Sequence, residues 1–206
     1  MNIYKEGLPT LGEAHMILEE ATQLNPGPWV QHSIYTAQAA QIIADNCKEL
    51  DSEKAYILGM LHDIGRRFGV TNMRHSLDGY TFSIEKGYDV LGKICLTHSF
   101  PIKNIKGAFG KWDCSNEEYT FVEGYLRSVV YDDYDRLIQL CDALALPSGF
   151  SLMEKRMVDV ALRHGFHEYI IPKWKATFEI KQYFEKLIGT SIYSLLPNVV
   201  ENTFNN

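Results

Sequence analysis

Of the seven histidines in this chain, four fall into one series with two aspartates: His32, the doublet His62-Asp63, His75, His98 and Asp142. Imidazole and carboxylate together make a donor set for a divalent metal of hard to borderline character, each imidazole binding in its neutral form. The set suits Fe, Mn, Co, Ni, Zn or Mg, as one ion or two. Helical spacing puts these residues on apolar stripes. His32 shares one with Tyr35, Ala39, Ile42 and Ile43, His98 with Leu91, Ile94 and Cys95, and Asp142 with Ile138, Cys141 and Ala145. An ionised aspartate there costs several kcal/mol unless compensated, and no Lys or Arg lies within helical reach on the same face of Asp142. Taken singly, each residue has a plainer account as a core histidine or a hydrogen-bonded aspartate. Taken together, they are better explained by a shared metal.

The elements that must position them read as helices nearly throughout. Thr10 with Glu13 is a capping box opening a segment to about residue 24. After Asn25-Pro26-Gly27, Pro28 suits the first turn of a helix over 28–47 that carries His32. Asp51 and Ser52 open a third helix, whose Tyr56, Ile57, Met60 and Leu61 lead straight into His62-Asp63 before Gly65 and Gly69 end it. Helices over 76–86 and 89–98 follow, the first closed by Gly87 and the second ending on His98. Residues 101–113, with two glycines and Lys103, Lys106 and Lys111, read as a long loop.

Ser115 with Glu118 opens a helix to about residue 127, and a further helix runs through Leu146 and bears Asp142. Ser151 with Glu154 is a third capping box, Gly165 its helix's end, and Pro172 starts a last long helix to about 187, with 191–196 a short sequel. Strand evidence is confined to Ser128-Val129-Val130-Tyr131, which serve equally as a helix end. The expectation is a single all-α domain over 1–206 with about eight or nine helices, residues 150–206 forming a C-terminal helical extension packed on the rest. Only the break at Pro147-Ser148-Gly149 is a candidate boundary.

With 206 residues, 46% apolar and 22% charged, the chain can bury a full core and is neither disordered, collagen-like nor a disulfide-rich miniprotein. A net charge of −6 argues against a nonspecific grip on nucleic acid or an anionic membrane. The expected partner is therefore a small molecule, with a homodimer left open. No apolar run approaches the roughly 18–20 residues that span a bilayer, and residues 1–8 hold no signal-peptide core. Cys47, Cys95, Cys114 and Cys141 form no C-x-x-C pair and read as reduced thiols, which points to a cytoplasmic protein.

His32, then His62-Asp63-Ile64-Gly65, then Asp142 resembles the H…HD…D signature of the HD-domain metal-dependent phosphohydrolases. The resemblance covers roughly residues 28–147. It implies an HD-domain-like helical bundle in which these four residues hold one metal and the doublet's aspartate bridges to a second. Some branches of the family add two histidines between the doublet and the last aspartate. His75-Ser76-Leu77-Asp78-Gly79 resembles the H-x-x-x-G segment that carries the first, and His98 ends the next helix as the second would. The implied ligands are thus His32, His62, Asp63, His75, His98 and Asp142. Two departures stand out. The interval from Asp63 to His75 is 12 residues, short beside many dinuclear relatives, and Arg66 stands where the common His-Asp-x-Gly-Lys pattern has Lys. Arg keeps the charge and can grip a phosphate bidentately, so Arg66 is expected beside Asp63 in catalysis and on the substrate.

Four neutral imidazoles and two carboxylates contribute about −2 and two divalent ions about +4, which makes a local anion trap in an acidic protein. The chemistry implied is attack by a metal-activated water on a phosphate ester or phosphoanhydride of a nucleotide-like substrate. Lys103, Lys106 and Lys111, in the loop directly after His98, are expected as a phosphate-contacting lid. The six-ligand arrangement is similar to the symmetrical diadenosine-tetraphosphate hydrolase branch. The same ligands also fit a di-iron HD-fold oxygenase, or a regulatory HD module that binds a nucleotide without turnover. Asp132-Asp133-Tyr134-Asp135 lacks the Gly and closing Glu of an EF-hand loop and reads as acids at a helix N-terminus. His15, His164 and His167 are assigned no role, and Trp174, Phe178 and Tyr183 are expected to pack.

Overall fold

Local signals set most helix starts. Thr10 and Ser115 cap α1 (Leu11–Leu24) and α6 (Asn116–Ser128) as full capping boxes with Glu13 and Glu118. Pro28 is the first residue of α2 (Pro28–Asp45), where its missing N–H costs nothing, and the Asp51 carboxylate accepts from Lys54 N at the head of α3 (Ser52–Leu61). A 3-10 turn, Ile64–Phe68, leads to α4 (Arg74–Glu85) and α5 (Asp89–Thr97); a second such turn, Ile105–Gly107, lies before α6. After α7 (Asp133–Leu144) come the two-residue strands β1 (Ala145–Leu146) and β2 (Gly149–Phe150), then α8 (Met153–His164), α9 (Ile170–Ile188), α10 (Ile192–Leu195) and α11 (Val199–Phe204). The computed structural model describes residues 7–204. The signal-peptide reading falls largely on residues 1–6, which lie outside the described ones.

The fold is all-α apart from one small antiparallel hairpin. Eleven α-helices are present among the described residues where about eight or nine are expected: the short sequel expected over 191–196 is α10, and the six-residue α11 is too short for its periodicity to be read. The Pro147-Ser148-Gly149 break is the turn of this hairpin, with Ala145 opposite Phe150 and Leu146 opposite Gly149. Gly149 has φ +138°, which a side chain resists. Residues 128–131 form the end of α6 and irregular chain, with no strand.

One expected cap fails. Ser151 lies inside the hairpin's exit, its N–H donating to Leu144 O, and Leu152 takes the N-cap position of α8 with no side-chain bond. Glu154 instead accepts from Tyr193 Oη. The Asp-rich cluster stands at a helix N-terminus as expected and forms a full capping box there: Asp132 caps α7 with Asp135, and fully buried Asp135 also binds Lys93 and Thr97 of α5.

The principal core gathers Ile43, Ile57, Leu58, Leu61, Leu91, Ile94, Leu137, Ile138 and Leu140 with Met153, Met157, Ile180 and Phe184 from the C-terminal helices. Helices α2 and α3 approach closely where Gly59 meets Ala37; a Cβ on Gly59 would lie 2.7 Å from Ala37 Cα. A second core joins Met73 and Leu77 of α4 to Leu96, Phe100, Ile105, Ala108, Val122 and Leu126. Among the described residues no helix is long and apolar enough to cross a membrane, and all four cysteines are free thiols.

Candidate metal centre

Three histidines are set by one local device. His62 and His98 are the residues that terminate α3 and α5, where the last carbonyls lack helical partners. His62 Nδ1 meets Gly59 O at 2.7 Å and His98 Nδ1 meets Cys95 O at 2.9 Å, each three residues back. His75, in the first turn of α4, does the same with Asn72 O. His32, on α2, turns its Nδ1 to Ala145 O of the hairpin at 3.2 Å. With Nδ1–H given to a carbonyl, each ring presents the lone pair of Nε2 inward, the arrangement that orients metal-bound histidines.

The four rings then converge. His62 lies edge-on to His32 and to His98, with centroids 5.2 and 5.0 Å apart, and His75 to His98 is 5.5 Å. Asp63 Oδ1 sits 3.2 Å from His75 Nε2 and 3.4 Å from His98 Nε2, and those two nitrogens are 3.4 Å apart. Two groups of potential ligand atoms emerge, His32–His62–Asp63 and Asp63–His75–His98, all buried and sharing Asp63. Asp142 adjoins the first, its Oδ1 3.0 Å from His32 Nε2. The short interval from Asp63 to His75 is spanned by the 3-10 turn, which packs directly on α4. A Cβ on Gly65 would lie 2.0 Å from His75 O and 2.4 Å from Gly79 N, so only glycine permits the approach. That contact gives the H-x-x-x-G segment its physical sense.

The residues fit a cation. His62 Nε2 and Asp63 Oδ1 are buried side-chain atoms without a hydrogen-bond donor or acceptor partner. Such orphans are expensive unless an ion satisfies them. Burial pushes the His98 imidazole down to about 3, aided by His62 and opposed by Asp63. Burial likewise lowers His62, so both rings are neutral near pH 7, as ligation requires. Burial works to raise Asp63, but Arg66, His75 and His62 outweigh it and hold the carboxyl well below its ordinary range. For Asp142 burial again works upward, and the neighbouring His32 and Arg156 hold the carboxyl down.

Arg66 Nε donates to Asp63 Oδ2 at 2.6 Å, so it touches the cluster directly. Asp142 does have a cation after all. Its partner is Arg156 of α8, 3.1 Å from Oδ1, brought back across the hairpin and invisible to helical spacing. A cavity of about 560 Å³ opens above the cluster, lined by Arg66, Arg156, Arg163 and Lys173 along with His32, Asp63, His75, His98 and Asp142. Lys103 and Lys106 are not among its lining residues. Ile105 and Ala108 pull that loop into the second core, leaving Lys106 and Lys111 exposed, while Lys103 donates to Val129 O beside the Tyr131 ring. The loop's contribution is Phe109, which lines the cavity and stands between the rings of His164 and His167. Trp174 also lines the cavity, while Phe178 packs on the core and Tyr183 donates to Asp133.

A family model for the HD domain matches residues 29–146, more than half of the chain and including all six clustered residues. The chain belongs to the HD domain family. HD domains are in general metal-dependent phosphohydrolases, and in this one the buried His/Asp groups could hold divalent metal. No curated protein and no solved structure matches the chain. The match ends at Leu146, so Arg156, Arg163 and Lys173, on α8 and α9, are additions to the HD segment.

Proposed function

We propose that this HD domain hydrolyses a phosphate ester or phosphoanhydride of a small, nucleotide-like molecule, with His32, His62, Asp63 and Asp142 holding one divalent metal and Asp63, His75 and His98 a second. The observation that carries it is Asp63 Oδ1, buried without a donor between two imidazole nitrogens at 3.2 and 3.4 Å. Bound divalent ions would supply a water of lowered pKa and positive charge opposite the phosphoryl oxygens. The chain's own residues do the rest. Backbone carbonyls fix each imidazole tautomer; Arg66 holds Oδ2 of Asp63 and so aims Oδ1 at the ligand cluster. Arg66 retains N–H groups beyond Nε, one of them 3.5 Å from His75 Nε2, that face the same cavity and suit a phosphoryl oxygen. Burial of His62, Asp63, His75 and His98 lowers the local dielectric and strengthens each of these interactions.

The test is phosphate release from a panel of nucleotides, dinucleotides and sugar phosphates, each run with Mn, Fe, Co, Ni, Zn and Mg. Metal-dependent release from at least one class is expected. Retained ligand without product under every metal would favour the regulatory module, and dioxygen consumption by an iron-loaded protein the oxidative one.

A further inference from the structure

In a chain of net charge −6, the cavity above the ligand cluster carries four cations, Arg66, Arg156, Arg163 and Lys173, against two carboxylates, Asp63 and Asp142. Two of the cations are engaged, Arg66 with Asp63 and Arg156 with Asp142. The other two are not. Among the described residues neither Arg163 nor Lys173 has a carboxylate partner; Arg163 Nε reaches only Asp159 O at 3.3 Å, and Lys173 Nζ rests 4.9 Å from the centroid of Phe109. Burial lowers Lys173 to about 8, with Asp142 pulling it up and Arg156 pushing it down. The half-buried Lys173 ammonium, with Arg156 as a cationic neighbour, and the exposed Arg163 guanidinium at the same cavity are charges that an incoming anion would pair.

Charge also speaks to the size of that anion. A phosphomonoester brings a charge of about −2 on one centre, which the ligand cluster and Arg66 can meet by themselves. Arg163 and Lys173 are then surplus, and both sit on helices beyond the HD segment. We propose that Lys173 and Arg163 form a second anion subsite, which selects phosphoanhydrides or bisphosphorylated small molecules over simple monoesters. The inference rests on the proposed function in placing the first phosphoryl group at the ligand cluster. A cavity of about 560 Å³ has room for such a molecule.

The test is calorimetric titration of the metal-loaded protein with two probes that need no turnover, methylenebisphosphonate and inorganic phosphate. In Lys173→Met and Arg163→Gln the affinity for the bisphosphonate is expected to fall about tenfold each, the scale of one charged hydrogen bond, while phosphate binding stays within about twofold. Lys173→Arg should largely restore the bisphosphonate. Equal losses for both probes, or no loss for either, overturns the subsite; matched thermal midpoints and circular dichroism exclude a folding defect. Because the readout is binding, a protein that hydrolyses nothing yet shows the selective loss sinks the hydrolase reading and leaves the subsite standing. An active enzyme without the loss does the reverse.

Discussion

Arg66 Nε donates to Asp63 Oδ2 at 2.6 Å, and the carboxylate's other oxygen is thereby turned toward His75 and His98. The guanidinium is a positioning group for the aspartate that the two ligand sets share. Arg66→Ala should weaken metal affinity by about 10–100-fold, the usual cost of losing a partner that orients a ligand. Arg66→Lys keeps the charge but not the planar donor, and should fall between the two. Competition with a chromophoric chelator measures it; unchanged affinity in the alanine variant would mean that Asp63 is oriented by its neighbours alone.

Under the proposed ligation the six residues are unequal, because Asp63 belongs to both candidate groups. Removing Asp63 strikes both ligand groups, whereas removing His75 strikes one. Elemental analysis of Asp63→Ala is expected to find essentially no bound metal, and of His75→Ala about half the wild-type content, both with native helicity. Equal stoichiometry in the two variants contradicts a bridging Asp63.

Without metal, the cluster makes the protein acid-labile. His98 is held at about 3, against an ordinary value of 6.5, and His62 is shifted the same way by burial. Below about pH 6.5 the unfolded chain takes up protons that the folded chain refuses, so stability falls as the pH falls, by about 1.4 kcal/mol per unit for His98, with His62 adding in the same direction. Above that range the two rings contribute no slope. Asp63 and Asp142, shifted downward, add their own loss only below the ordinary carboxylate range. Urea unfolding of chelator-treated protein at about pH 7.5 and about pH 5.5 should differ by about 2 kcal/mol. A flat midpoint over that interval would show the rings to be solvated.

The His/Asp cluster was legible as a cluster because its residues announce themselves by type, and because helix ends put His62 and His98 where free carbonyls could turn them. Helix starts were legible at Thr10, Asp51 and Ser115, where one side chain decides the cap, and at Pro28, which suits the first helical position. Ser151 misled for lack of context: the same Ser-x-x-Glu spacing is overridden when the serine's N–H is claimed by Leu144 O across a hairpin. The cations that line the cavity were missed for a similar reason. The lysine loop looked basic from its composition, but burial of Ile105 and Ala108 fixes its orientation. Arg156 and Arg163 could have been suspected, since with Val160 they repeat at i, i+4 and i+7 of α8 beside the buried Met153 and Met157. Their destination depended on a two-residue turn that no periodicity reports.

Gly65 offers a test of how the doublet is built into the fold. The backbones of the 3-10 turn and α4 approach so closely that a methyl group would overlap His75 O and Gly79 N, both main-chain atoms that cannot rotate aside. Gly65→Ala must therefore push α4 outward, at a cost of about 3 kcal/mol or more, and carry His75 away from Asp63. Gly124 is the control. It lies exposed within α6 with nothing within 4 Å of an added Cβ, so Gly124→Ala should stabilise by about 0.5–1 kcal/mol through helix propensity and a less disordered unfolded chain. Urea unfolding and metal content, read on both variants, separate the two effects: Gly65→Ala should lose stability and about half of its metal, Gly124→Ala neither. Full metal content in a destabilised Gly65→Ala protein would show that His75 holds its place without the close approach.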